Sequence, residues 1–340
     1  MKSPFTGKEM SIEIRNEDLT FRKETFNVAY PSYFCSDSKE FFTTTEFDTI
    51  KMRQVYNQYR DKYNLPFPEE IKEIRAKYGL SATKMSEILG FGVNSYRNYE
   101  NGEVPNQSNA NLIQLANNPI QFKSLVELSN VFKIDSDDKN DFTEEGYKLL
   151  NKIDRLIEEK KRIRFSLRLE NYLLGNKLPD NYSGYIKPNI EKLTEMVVFF
   201  AETMQPYVTQ LNKLLFYCDF LHYKKEAVSI SGTRYRAINM GPVPNNYDSI
   251  FDYIESTGAV KIIKTEFDRG YSQEFISKKE FDSEKFTNKE LECLNKVYQE
   301  FKTKNTTEII EKSHLEDAWK DNFENGKSLI DYKYAFNLNI

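Results

Sequence analysis

Residues 69–119 read EEIKEIRAKYGLSATKMSEILGFGVNSYRNYENGEVPNQSNANLIQLANNP and contain four short segments whose apolar side chains have helical spacing. Gly79 and Gly90 are placed to end the first two helices, because glycine readily adopts the left-handed conformation that closes a helix. A third helix is predicted over residues 93–100, and a fourth, around residues 112–116, would close the core. The pattern predicts a compact helical domain.

Two short helices joined by a glycine-containing turn form a helix-turn-helix, whose second helix can enter the DNA major groove. The side chains of that second helix predicted to pack inward are Val93, Tyr96 and Tyr99. Asn94, Arg97 and Asn98 then share the opposite face. Asparagine can bind adenine and arginine can bind guanine through paired hydrogen bonds. The candidate DNA-binding residues are Lys84, Asn94, Ser95, Arg97 and Asn98. The alternative is a plain helical core with solvated polar residues.

The charge of the chain gives little support for DNA binding. Its 340 residues are enough for two or more domains, but the net charge of −4 is not typical of a nucleic-acid-binding protein. Residues 69–119 carry six acidic and five basic side chains. Binding would therefore depend on where a few residues are placed and on dimerisation.

Motifs for catalysis or metal binding are absent from the sequence. It has no glycine-rich phosphate loop, no nucleophile elbow and no clustered metal ligands, and its only histidines are His222 and His314. We therefore predict a protein that is not an enzyme and that uses no cofactor and no metal.

Cysteine usage and hydropathy indicate the compartment. Cys35, Cys218 and Cys293 are odd in number and widely spaced, so they indicate no disulfide framework and fit a reducing environment. The opening residues MKSPFTGKEM lack the apolar region of a signal peptide, and the longest apolar run, residues 196–201, is too short to span a bilayer. We expect a cytoplasmic protein with no membrane partner.

The predicted fold class is mainly α with minor β, in several segments. Alternating side chains predict a small β-rich domain over residues 1–50, followed by the helix-turn-helix domain over 66–132. The polar run 133–141 is predicted to be a linker and 142–174 a long connecting helix. Residues 188–340 are predicted to form a mostly helical domain with a β-hairpin, in which Gly241-Pro242-Val243-Pro244 is a turn.

The long helix has an apolar seam with alternating spacings of four and three residues. Its positions are Leu149, Ile153, Leu156, Lys160, Ile163, Leu167, Glu170 and Leu174. The seam is compatible with a dimerising coiled coil or with an amphipathic helix docked on its own chain. We favour the docked helix, because the seam extends over fewer than four heptads.

The stretch LSATKMSEILGFGVNSYRNYENG resembles the Xre-type helix-turn-helix of MqsA-type antitoxins. The resemblance implies that DNA is read by an asparagine at the position of Asn94 and by an arginine at the position of Asn98. In this chain the arginine stands one place earlier, at Arg97. The family's pattern LSQ at the start of the second helix is replaced by Leu-Ser-Ala-Thr.

The first fifty residues resemble the small zinc-ribbon domain of the same family. Its cysteines are expected in the patterns C-P-x-C-G and Y-x-C-x-x-C-G-E, whereas this chain reads SPFTG and YFCSDSKE. Only Cys35 remains, and Ser3, Thr6 and Ser38 occupy the other ligand positions. Because neutral hydroxyls bind zinc poorly, we expect a ribbon fold without the metal. The alternative is an unrelated pair of β-hairpins.

Residues 188–340 resemble the Panacea, or SocA-like, family. The segments that carry the resemblance are KLLFY at 213–217, YRAINMGPV at 235–243, HLEDAW at 314–319 and GKSLIDY at 326–332. Panacea domains neutralise toxins by direct binding, so the resemblance implies a toxin-binding domain. Candidate toxin-binding residues, beside the Gly241-Pro242 turn, are Tyr235, Met240 and Val243.

The two resemblances together imply an antitoxin of a type II toxin–antitoxin system. It would bind its cognate toxin through the Panacea domain and repress its own operon as a homodimer on an inverted-repeat operator. The alternatives are a protease adaptor that delivers a bound toxin for degradation and a phage or prophage transcriptional regulator. An enzyme that uses His314, Glu316 and Asp317 is disfavoured, because the two carboxylates also suit a helix N-terminus.

Overall fold

The computed structural model describes residues 1–134, 141–162, 171–175, 178–267 and 270–340. Within these residues the chain is mainly helical with small antiparallel sheets, which confirms the predicted class. The strands are β1 (Ser11–Phe21), β2 (Glu24–Phe34), β3 (Phe41–Phe42), β4 (Tyr235–Ile238), β5 (Gly241–Pro244), β6 (Val260–Phe267) and β7 (Gly270–Ser277).

The α-helices of the first half are α1 (Thr45–Tyr63), α2 (Pro68–Tyr78), α3 (Ala82–Ile88), α4 (Ser95–Glu100), α5 (Gln107–Ala116), α6 (Pro119–Leu128) and α7 (Glu144–Arg162). Those of the second half are α8 (Ile190–Thr203), α9 (Val208–Glu226), α10 (Tyr247–Ser256), α11 (Asn288–Phe301), α12 (Thr306–His314) and α13 (Asp317–Glu324). None of the helices within the described residues is long and apolar enough to cross a membrane.

The chain divides into two compact units. One comprises Met1–Leu19, Asn27–Gln54 and Glu170–Ile340, and the other comprises Thr20–Phe26 and Val55–Leu169. The second unit therefore contains the helix-turn-helix, together with residues that the sequence placed outside it.

The N-terminal sheet has the strand order β1-β2-β3, with β2 antiparallel to β3. Two tight turns flank it and bring Ser3, Thr6 and Cys35 together. Cys35 donates its thiol hydrogen to Ser3 Oγ at 3.3 Å, and Thr6 Oγ1 lies 4.0 Å from Cys35 Sγ. Ser3 Oγ also accepts the backbone N–H groups of Phe5 and Thr6. Ser3, Thr6 and Cys35 thus lie close together, and the zinc-ribbon origin of this region stays a prediction.

These residues do not fit zinc. The donors that converge are one thiol and neutral hydroxyls, whereas structural zinc sites use four thiolate or imidazole ligands. Within the described residues no group of three or more His, Cys, Asp and Glu side chains is arranged to hold a metal ion. When the Ser3 hydroxyl turns to donate to the Cys35 thiolate, this hydrogen bond lowers the pKa of Cys35 to about 6.

The helix-turn-helix packs around one apolar core. Helix α2 ends at Gly79 with φ of 71°, as predicted, and Ser81 caps α3 by accepting the Lys84 N–H at 3.1 Å. Helix α4 begins at Ser95 rather than at residue 93. Val93 lies in the preceding turn, where Ser95 N–H donates to Gly92, and it is 64% exposed instead of packing inward. Helix α5 starts at Gln107, five residues before the start of the fourth helix predicted around residues 112–116.

Helix α7 packs on the same core. Leu149 and Ile153 are buried in the cluster that holds Phe122 and Val126 of α6, and Leu156 packs against it. The described part of the long helix therefore follows the docked alternative, and its apolar seam is covered by the helix-turn-helix unit. Seam positions from Lys160 to Glu170, and linker residues 135–140, lie outside what the structure describes.

The C-terminal half is built around α9, in which all residues over 211–223 are buried. Helices α8, α11 and α12, strand β5 and the 3₁₀ helix Tyr332–Asn337 pack against it. Strands β6 and β7 form the predicted hairpin. The predicted turn at 241–244 is instead strand β5, antiparallel to β4, because its two prolines stand opposite Tyr235 and Ala237 in a two-stranded edge pairing.

The purified protein should contain far less than one equivalent of zinc per chain, because three of the four ligand positions carry hydroxyls. Elemental analysis measures this directly, and the Cys35→Ser variant is the control. Stoichiometric zinc that persists in Cys35→Ser would contradict the fit argued from the donor set.

Candidate DNA-binding and partner-binding sites

Two tyrosines fix α4 in the core of the helix-turn-helix. Tyr96 is fully buried and donates its hydroxyl to Ile71 O at 2.9 Å, while the Tyr99 hydroxyl accepts from Asn109 at 2.8 Å. Ser86 of α3 accepts the Tyr96 backbone N–H at 3.1 Å and so satisfies one of the free donors at the start of α4. The inward side of the predicted recognition helix is therefore held by hydrogen bonds as well as by packing.

A two-pronged ion pair fixes the other end of α4. Arg75 Nε donates to Glu100 Oε1 at 2.6 Å and Nη2 to Glu100 Oε2 at 3.3 Å, with Glu100 only 7% exposed. Arg75 Nη1 also donates to Leu80 O at 3.0 Å. Hydrogen bonding to Glu100 raises the pKa of Arg75. The fork geometry ties the last residue of α4 to α2 in one orientation.

Two further arginines hold the loop that follows α4. Arg60, 1% exposed, donates Nη2 to Gly102 O at 2.7 Å and to Glu103 O at 3.2 Å. Arg22 donates Nη2 to Val104 O at 2.7 Å and Nη1 to Pro105 O at 3.0 Å. Backbone carbonyls over residues 102–105 are thus satisfied by guanidinium groups, which keeps the end of α4 in place.

The candidate DNA-reading side chains lie on the open side of α4. Asn94, Arg97 and Asn98 are exposed, and none of them makes a side-chain hydrogen bond to a described residue. Ser95 is half-buried. Lys84 is half-buried and pairs with Glu87 at 3.1 Å, so its charge is partly neutralised. The first three are therefore placed to contact a ligand, and their contact with DNA stays a prediction.

The candidate toxin-binding residues do not share one surface. Tyr235 is 0% exposed and Val243 3%, whereas Met240 is 48% exposed. Strand pairing of β4 with β5 turns the first two into the core. Of the three, only Met240 can contact a partner at the surface of this fold.

Tyr235 is buried because it serves a hydrogen-bond network around Asp219. This fully buried carboxylate accepts from the Tyr235 hydroxyl at 2.7 Å, the Ser231 hydroxyl at 2.6 Å and the backbone N–H groups of Ile230 and Ser231 at 2.8 Å. Burial raises the pKa of Asp219. Four donors make this network a structural support for β4, since a carboxylate inside a protein must be hydrogen-bonded.

Lys213 of α9, unlike Asp219, is buried without a hydrogen-bond partner in the part of the chain that the structure describes. It is 0% exposed, and within the described residues its ammonium group has no hydrogen-bond partner. Burial lowers the pKa of Lys213 to about 7. A Cβ on Gly241, whose φ is 103°, would lie 2.6 Å from Lys213 Cε and 2.6 Å from Ser313 Oγ, so glycine is needed where β5 passes the lysine.

A stack of rings lies beside this lysine. His314 stacks on Trp319 with centroids 3.8 Å apart, and Trp319 stacks on Phe323 at 4.7 Å. Trp319 Nε1 donates to Ile238 O at 2.8 Å. His314 Nε2 is buried without a hydrogen-bond partner among the described residues, and burial, followed by repulsion from Lys213, lowers the pKa of His314.

His314, Glu316 and Asp317, the candidate residues of the disfavoured enzyme hypothesis, lie in three different environments. Glu316 is 1% exposed and accepts from the Tyr217 hydroxyl at 3.0 Å and from Asn339. Asp317 is exposed and lies 3.9 Å from Lys320. His314 belongs to the ring stack. The geometry gives Glu316 a structural partner rather than a substrate.

The residues that the sequence analysis did not single out are Arg75, Glu100 and Lys213. The ion pair links positions 25 residues apart, so no local pattern shows it. Lys213 did carry a local signal, since it is a charged residue directly before the apolar run Leu214 to Cys218 on a helix.

Comparison with known protein families gives a match in each half of the chain. Residues 1–121 match the family described as the antitoxin component of bacterial toxin–antitoxin systems, MqsA. Residues 211–320 match the antitoxin SocA-like, Panacea domain. A search among curated proteins gave no match. The two matches confirm the predicted pairing of an MqsA-type region with a SocA-like Panacea domain, and they indicate antitoxin families of toxin–antitoxin systems.

Replacing Lys213 should change how stability depends on pH. The pKa of Lys213 falls from an ordinary value near 10.5 to about 7, so between these values the unfolded chain binds the extra proton and the free energy of unfolding rises with pH. Lys213→Met removes this contribution. Its stability advantage over the wild type should be largest at about pH 6 and shrink towards about pH 9 in denaturant titrations.

Lys312→Met is the control for this experiment, because the Lys312 ammonium pairs with Glu300 at 2.7 Å. Its difference from the wild type should stay constant over the same pH range. A constant difference for Lys213→Met as well would show that the lysine is solvated.

Proposed function

We propose that this protein is an antitoxin that binds its cognate toxin through the C-terminal half and represses its own operon through the helix-turn-helix. The main support is the presence, on one chain, of matches to two antitoxin families. No catalytic step is required for either activity. The three cysteines are free, which supports a reducing compartment such as the cytoplasm.

The DNA-binding part of the proposal rests on the exposure of Asn94, Arg97 and Asn98 on a helix that is fixed from behind. Base readout needs side chains whose hydrogen-bonding groups are not already used inside the protein. It also needs a rigid support, which the Arg75–Glu100 ion pair and the arginine-bound loop supply. We propose that a homodimer binds an inverted repeat with half-sites about one helical turn apart.

The toxin-binding part rests on the family match over residues 211–320 and on what this region exposes. Met240 and Leu315 are 48% and 64% exposed in a domain whose other apolar side chains are largely buried. Exposed apolar side chains are common anchors of protein interfaces. A protease adaptor would bind a toxin through the same surface, so the fate of the bound toxin, rather than its binding, separates the two functions.

Alanine at both Asn94 and Arg97 should abolish specific operator binding while leaving the fold intact, since both side chains are exposed. Each base contact contributes about 1–3 kcal/mol, so affinity should fall by at least about 30-fold. Gel shift and footprinting with the DNA upstream of the protein's own gene measure this. Lys148→Ala, an exposed charge change on α7, is the control.

A footprint that survives the double substitution would remove α4 from DNA reading. A loss of binding that Lys148→Ala reproduces would show that only net charge matters. Either result leaves the toxin-binding part of the proposal untouched.

The full-length Asn94→Ala/Arg97→Ala variant should still rescue growth when co-expressed with the toxic product of the neighbouring gene, because neutralisation by direct binding does not pass through DNA. The toxin should co-purify with the variant at wild-type yield and at an unchanged cellular level. Rescue that requires DNA binding would make neutralisation transcriptional. Rescue accompanied by protease-dependent disappearance of the toxin would favour the adaptor.

A further inference from the structure

We propose that Lys213 and His314 form an anchor site for a carboxylate presented by the protein partner that the C-terminal half binds. The carboxylate belongs to an aspartate, a glutamate or a chain end that is flanked by apolar side chains. This inference rests on the proposed toxin binding and adds the chemistry by which the partner is recognised.

The first observation is that two buried nitrogen groups lie close together without acceptors. Lys213 Nζ and His314 Nε2 are both buried and have no hydrogen-bond partner within the described residues. A Cβ on Gly241 would lie 2.6 Å from both Lys213 Cε and Ser313 Oγ, so the lysine stem passes beside the residue that precedes His314. Buried polar groups in folded proteins are nearly always paired, so two adjacent exceptions point to a ligand that supplies the acceptor.

The second observation is that acidic groups in this region already have partners. Glu316 accepts hydrogen bonds from Tyr217 and from Asn339. Glu300 pairs with Lys304 and Lys312. Neither carboxylate is therefore free to pair with Lys213, and an anionic group from outside is the ligand that complements its protonated form.

The third observation is that the site adjoins an exposed apolar surface. Met240 lies between Asn239, whose backbone hydrogen-bonds the His314 ring, and Gly241, which lies against Ser313 and Lys213. Leu315 follows His314 directly and is 64% exposed. A charged anchor surrounded by apolar contacts that exclude water is the usual composition of an interface hot spot.

Lys213 can reach the partner without a change in the backbone. Its four-carbon stem lets the ammonium swing towards half-buried His314 at the surface while the stem stays in the core. The carboxylate then accepts from Lys213 Nζ, and its negative charge favours the protonated His314 ring, whose Nε2 then donates to it as well. Gly241 is needed in this arrangement, because any Cβ there would fill the space of the lysine stem.

Lys213→Met in the full-length protein is the central test, with the neighbouring gene's toxic product as the probe. Methionine fills the stem's volume and removes an unpaired charge, so the variant should melt at the same or a higher temperature. Binding should nevertheless weaken by about 30-fold or more, because the carboxylate of the partner is left unpaired in the interface. Lys312→Met, a paired lysine on α12, should bind as the wild type does.

A pair of substitutions at exposed Leu315 tests the same site without touching the core. Leu315→Glu places a negative charge beside the carboxylate and should weaken binding by at least tenfold more than Leu315→Lys, which loses the same apolar contact. In the toxin, one acid-to-amide substitution should reproduce the loss and show no further loss when combined with Lys213→Met.

The outcomes separate the inference from the function on which it rests. A wild-type protein that neither binds nor rescues would overturn the proposed function, and the inference with it. Wild-type rescue together with undiminished binding by Lys213→Met, or equal binding by the two Leu315 variants, would overturn the anchor site alone.

Discussion

Helix α9 is buried on every side over residues 211–223. The packing of the C-terminal half therefore depends on how the polar groups of this helix are hydrogen-bonded. A helix buried all round must satisfy each polar group it carries, because water cannot do so. Asp219 meets the requirement with four donors drawn from residues 230–235, which fixes where β4 begins. Lys213, two turns earlier on the same helix, does not meet it. One buried helix thus carries both a fully hydrogen-bonded acid and a base without a hydrogen-bond partner among the described residues.

In the helix-turn-helix unit, arginine side chains help to hold a short helix in position. Helix α4 has only six residues, too few to be stable alone, so its position must come from its surroundings. Tyr96 and Tyr99 hold its inner side, Arg75 holds its last residue, and Arg60 and Arg22 hold the loop beyond it. The exposed side chains of Asn94, Arg97 and Asn98 make no hydrogen bond to a described residue. A short helix can present polar side chains accurately only when its backbone is restrained in this way.

Local signals were sufficient for much of the fold. Glycines that end helices and alternating strand patterns act over a few residues, and these predictions agree with the structure. Val93 was misplaced because helical spacing was extended across Gly92 into a turn. Tyr235 and Val243 were taken for surface residues because a Gly-Pro pair suggests a turn, whereas pairing of β4 with β5 buries both. The arginine ties and the surroundings of Lys213 join residues far apart in sequence, and a pattern within a window could not show them.

The tip of the β1–β2 hairpin belongs to the helix-turn-helix unit, with Phe21 packed on Tyr56 and Tyr59. Arg22 and Lys23 at this tip have φ of 47° and 69°, an unfavourable conformation that the bonds from Arg22 to residues 104 and 105 help to maintain. A recombination event that transferred residues 66–132 to another gene would leave these contacts behind. The folding unit that contains the helix-turn-helix is therefore larger than residues 66–132, because it includes the hairpin tip Thr20–Phe26.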